Sequence, residues 1–144
     1  MTTPVFRKRN LDRDLAKEGV WFDMYDNDGS HWGRYKCRLL GDGNLEYRGA
    51  RMRIMRRLTR AQRASLDGDQ PNQELANRID IECFVETILV DWEPPTEDGS
   101  KPPLNLENAL ALFVPELWLF EQIELEAQKE IHFRNKVQDD TAKN

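Results

Sequence analysis

Histidine and cysteine are scarce in this 144-residue chain, with two of each: His31, His132, Cys37 and Cys83. Two cysteines in separate segments make neither a disulfide framework nor a Cys-x-x-Cys pair, so the chain reads as reduced and cytosolic, its thiols serving as small core hydrophobes. Neither histidine has neighbours at metal-ligand spacing, and no metal site is expected. Phosphate loops, nucleophile elbows and metalloprotease helices are missing as well. Asp26-Asn27-Asp28-Gly29 begins like a calcium loop, but Cys37 stands where the twelfth-position acid belongs, and a turn is the better reading. No apolar run approaches the roughly 20 residues of a membrane span, and the N-terminus lacks a signal-peptide core. These absences predict no catalytic residue, no cofactor and no membrane contact. The expectation is a binding protein and not an enzyme.

Charge, by contrast, is abundant: 33% of residues are charged against 39% hydrophobic, and the net charge is −5. That net value hides an asymmetry. Residues 1–64 hold 15 Lys and Arg against 8 Asp and Glu, whereas residues 65–144 hold 6 against 18. Such a split draws the halves together within a chain, between chains as a homo-oligomer, or toward separate partners. The length fits one domain.

The pattern predicts an α+β, mostly helical single domain with an N-terminal β-hairpin packed on three to four helices. Residues 1–18 form an N-terminal arm, where Asn10 or Asp12 could cap a short helical turn. Residues 19–134 form the domain. Its hairpin, at 19–40, turns at Asp26-Asn27-Asp28-Gly29, and its second strand sets Arg34, Lys36 and Arg38 against Tyr35, Cys37 and Leu39 with period two. An arginine-rich amphipathic helix is expected at 48–66. A central helix at 71–92 follows, with Pro71 at its first helical position and Asp69 or Gln70 as cap. A buried strand from Phe84 to Val90 competes with the second half of that helix, because an unbroken apolar run has no decisive period. Residues 93–104 hold four prolines and make a surface loop. Helices fill 105–134, opened by Asn105 and again after Pro115, with a core stripe of Leu119, Phe120, Ile123, Ala127 and Ile131. Residues 135–144 are expected to be a flexible tail.

Two surfaces stand out as candidate partner-binding sites. On one continuous helical wheel Arg53, Arg56, Arg57 and Arg60 share a face with Arg63, opposite Met52, Ile54, Met55 and Leu58. That face could steer an acidic protein, a neighbouring subunit or phosphates. No aromatics interleave with the arginines and the chain is acidic overall, so nucleic acid is the disfavoured partner. The second surface is aromatic and apolar. Trp118 and Leu125 project away from the core stripe of the last helix, and Trp21 and Trp32 sit in the hairpin. They mark either a protein-binding patch or a second core layer beneath the hairpin.

The order of segments resembles the tail assembly chaperones of tailed phages. The residues that carry the resemblance begin with Gly19-Val20-Trp21-Phe22-Asp23, followed by the arginine-rich helix. Next come Val90-Asp91-Trp92-Glu93 and the loop Glu97-Asp98-Gly99-Ser100-Lys101-Pro102-Pro103-Leu104. Leu106-Glu107-Asn108-Ala109 and a helix opened by Pro115 complete it. The similarity spans residues 19–134. It implies a non-enzymatic factor of the host cytoplasm that binds the tape measure protein, shields its apolar segments, recruits tail tube protein, and is lost from the mature tail. A nucleic-acid-binding module using residues 48–63, or a permanent component of the tail or neck, are the alternatives.

Overall fold

The computed structural model describes residues 2–41 and 44–134; the tail expected at 135–144 lies outside the described residues. Asp12 caps the first helix, α1 (Arg13–Glu18), its carboxylate accepting the Leu15 N–H at 3.0 Å. Strands β1 (Val20–Tyr25) and β2 (His31–Cys37) pair antiparallel as the hairpin. Its turn is held by Asp26, whose Oδ1 accepts the backbone N–H groups of Asp28 and Ser30. Tyr35 and Cys37 face inward with Phe22 and Met24, as the period-two pattern predicts.

One irregularity in the hairpin is built in. Pairing steps from Asp23–Arg34 to Tyr25–His31, so Trp32 and Gly33 together oppose Met24 in a β-bulge. Gly33 adopts φ +90°, and a Cβ there would sit 2.5 Å from the Glu93 carbonyl oxygen. Only glycine fits that approach.

The arginine-rich segment is two helices and not one. The first, α2, spans Leu45–Arg57, and α3 spans Arg60–Asp67. Between them Leu58 and Thr59 are extended, and Thr59 and Gln62 form a reciprocal capping box. The box starts a new helix, so a single wheel over 48–66 does not describe the segment.

The expected central helix at 71–92 is also corrected. Helix α4 runs Gln73–Thr87, and its cap is Asn72 and neither Asp69 nor Gln70. The chain then becomes a third strand, β3 (Leu89–Glu93), antiparallel to β2, giving the sheet order β1-β2-β3. Arg38 takes the end of α4: its guanidinium donates to the Thr87 carbonyl at 3.3 Å and its backbone N–H to the Ile88 carbonyl at 2.9 Å. With those carbonyls held by the neighbouring segment, β-branched Val90 continues as strand.

The proline-rich loop is pinned by Trp92, whose indole N–H donates to the Pro102 carbonyl at 2.9 Å. Asn105 caps α5 (Leu106–Phe113), and α6 (Leu117–Ala127) follows Pro115. That last helix ends earlier than expected. Glu130–Phe133 is a 3-10 turn, and Ile131, placed in the core stripe by continuous helical spacing, is 59% exposed. Phe133 is buried in its stead.

The whole is a mixed α+β domain: six α-helices and a three-stranded antiparallel sheet among the described residues. Helix α6 packs on β1 and β2, α4 on β3 and α5, and α2 and α3 on α4. The main core gathers Tyr35, Trp92, Phe84, Phe113, Phe120 and Phe133 between sheet and helices. A smaller cluster of Ile54, Ile79 and Cys83 joins α2 to α4.

Candidate protein-binding surface

The basic and acidic halves of the chain meet within one molecule, along the seam between α2 and α4. Arg51 reaches Asp80 at 2.6 Å, Arg53 reaches Glu86 at 2.6 Å, and Arg57 approaches Glu82 at 3.8 Å. Arg53 and Arg57, two of the four predicted steering arginines, are therefore engaged by the chain's own acids. Exposed pairs of this kind contribute about 0–1 kcal/mol each, so the seam orients α2 more than it stabilises it. Tyr47 and Glu124 border it. Burial, reinforced by Asp80, pushes the Tyr47 phenol up to about 12. Burial first, then the charges of Asp80 and Glu121, raises the Glu124 carboxyl.

Arg56 and Arg60 are exposed and make no ion pair among the described residues. Arg63 turns back instead, donating to the carbonyls of Met55 and Arg56 at the end of α2. The five arginines read as one face are thus split among ion pairs, a helix end and open solvent.

The aromatic candidates belong to a second packing layer. Trp118 and Trp32 stack edge-to-face with centroids 5.3 Å apart, and both lie against the main core. Their indole N–H groups donate to Glu116 and Asp26, and that bond from Trp32 is the main reason the Asp26 carboxyl is lowered. Trp21 is half-buried, with the Arg34 guanidinium 4.1 Å above its ring. Leu125 differs from the three tryptophans in remaining 54% exposed on α6. The histidines each meet one carboxylate, His31 with Asp23 and His132 with Glu126. Among the described residues no group of three or more His, Cys, Asp or Glu is placed to hold a metal ion. No helix among them is long and apolar enough to cross a membrane.

An open apolar surface lies on α2. The side of the helix turned to α4 carries Ala50 and Ile54. Turned outward are Leu45, 77% exposed, and Met52, 56% exposed, with Gly49 between them and half-buried Met55 beyond. Arg48, Arg51, Arg56 and Arg63 rim this shallow groove. Met52, expected on the same side as Ile54, stands two residues and about 200° of helical turn away from it and faces out. Arg51 reaches sideways to Asp80. Leu45 and Gly49 are the residues that the sequence reading missed. The signal was Asn44, whose side chain caps the helix by accepting the Tyr47 N–H.

Fold and surface together define a small α+β protein whose outward helix face is apolar along its floor and basic at its rim. A family model described as YdaY prophage protein matches residues 42–144, most of the chain, and the chain belongs to that family. It is thereby a phage-related protein. No curated protein and no solved structure gives a significant match.

Proposed function

We propose that this protein is a phage tail assembly chaperone: a non-enzymatic factor that, in the host cytoplasm, binds the tape measure protein and helps recruit tail tube subunits. The observation that carries the reading is the outward face of α2, where Leu45 and Met52 stand open beside unpaired charge. Methionine is unbranched and adaptable, which suits a surface that must accept varied apolar segments and release them. Membership of a prophage family and the order of segments at 19–134 support the same reading. The alternative of nucleic-acid binding is weakened because Arg51, Arg53 and Arg57 already face carboxylates in the same chain.

Co-expression with a tape measure fragment tests the reading. Retention of the fragment on the tagged protein is expected, together with absence of the protein from purified particles by mass spectrometry. A stable place in the particle would make it a tail or neck component. Failure to retain any tape measure segment, alongside salt-sensitive retention on DNA, would hand the arginines to phosphate.

A further inference from the structure

We propose that the outer face of α2 is a docking groove for an amphipathic α-helix whose apolar stripe is flanked by acidic residues. The inference rests on the partner-binding reading above and specifies the chemistry of the partner. Leu45, Gly49, Met52 and Met55 follow one another at spacings of four, three and three, which aligns them along about 15 Å of one helix face. A floor of that length, spread over about a third of the helix circumference, matches the stripe of a partner helix laid across it.

Gly49 is the second observation. It sits mid-helix, where glycine is the worst residue short of proline. Nothing among the described residues asks for it: a Cβ built there meets none of their atoms within 4 Å. The missing side chain leaves a notch between Leu45 and Met52. Such a notch admits a large apolar side chain, or the close approach of a second helix, from outside.

The rim sets the sign of the partner. Arg48 and Arg56 stand on the same face, among the floor residues, and make no ion pair among the described residues, while Arg63 lies fixed against the end of α2. Carboxylates beside the apolar stripe of an incoming helix would meet these guanidinium groups. A phosphate backbone would use the rim and leave the floor wet. The α4 helix of a second copy does not supply that partner, since its Asp80, Glu82 and Glu86 are already committed to arginines of their own molecule.

The test uses the full chain with 13C-methyl methionine and a synthetic helix of about 18 residues bearing a leucine stripe between glutamates. Three controls accompany it: the same peptide with lysines for glutamates, a scrambled glutamate peptide, and a short DNA duplex. The glutamate helix is expected to shift the Met52 methyl signal and to bind at least about tenfold tighter than any control. Gly49→Leu and Arg56→Glu, both at open positions, should each weaken it by about the same factor, with folding checked by circular dichroism. Met52→Gln supplies an independent variant. Equal binding of the lysine helix, displacement by DNA, or a self-association abolished by Arg56→Glu would each overturn the proposal. Retention of a tape measure fragment that survives Gly49→Leu would remove the groove and leave the chaperone reading intact. Tight binding of the glutamate helix without any tape measure retention would do the reverse.

Discussion

Glu124 is the residue whose chemistry sits least comfortably in its surroundings. Half-buried on α6 and facing Asp80 and Glu121, it has its carboxyl held above the usual range in the folded state. A raised folded pKa favours the protonated form, so the contribution to stability is complete below the unfolded value near 4.3 and is lost as pH rises through the folded one. At neutral pH the ionised group opposes folding. Glu124→Gln is therefore expected to raise the melting temperature at pH 7, with the gain vanishing near pH 4; thermal melts at both values check it. Gly49 offers a second test at this scale. Gly49→Ala should stabilise the isolated chain by about 0.5–1 kcal/mol in urea unfolding, since the added methyl restricts the unfolded backbone and meets no atom of the described residues. Individual side chains were only partly legible in advance. The alternation that buries Tyr35 and Cys37 is local and could be read directly. That Trp118 is covered by Trp32 depends on a bulge at Gly33 and a helix more than 80 residues away, which no local spacing encodes.

Among the elements, the break between α2 and α3 is decided by a few atoms. Thr59 accepts the Gln62 N–H at 3.1 Å, and the Gln62 side chain accepts the Thr59 N–H at 2.9 Å. Thr59→Ala should cost about 1 kcal/mol in denaturant unfolding, since it strips the cap from a short exposed helix. A serine at the same position should restore most of the loss. This break was written in the sequence as Thr-x-x-Gln, but an apolar wheel averaged over 48–66 passes across it. The passage from α4 to β3 was legible only as two competing readings, helix to residue 92 or strand from Phe84, and each held part of the answer. What settles it is Arg38, fifty residues earlier, gripping the carbonyls of Thr87 and Ile88. The candidate surface followed the same rule. Its arginines were visible as a composition. Their division between the α4 seam and the open groove needed the helix ends.

Across the whole molecule, the segment at Leu11 and Asp12 closes on Phe133 and Arg134. Leu11 bridges Arg134 in antiparallel fashion, the Asp12 N–H donates to the Phe133 carbonyl at 2.8 Å, and Phe133 fills the main core beside Phe22. Phe133→Ala should cost about 3–5 kcal/mol, as expected for removing a fully buried ring, and would be read from the midpoint of urea unfolding. The same residue closes a body whose charge is sorted along its length and then neutralised across the α2–α4 seam. The arginines left over are the ones facing away from that seam.

The two hydrophobic clusters each contain one thiol: Cys37 sits beneath the sheet and Cys83 lies between α2 and α4. Nature has in effect supplied one chemical reporter per compartment. If the helical lobe breathes while the sheet stays shut, as its smaller cluster favours, a thiol-specific dye added to native protein will modify Cys83 well before Cys37. A ligand clamped along α2 would slow that first labelling event and leave the second untouched.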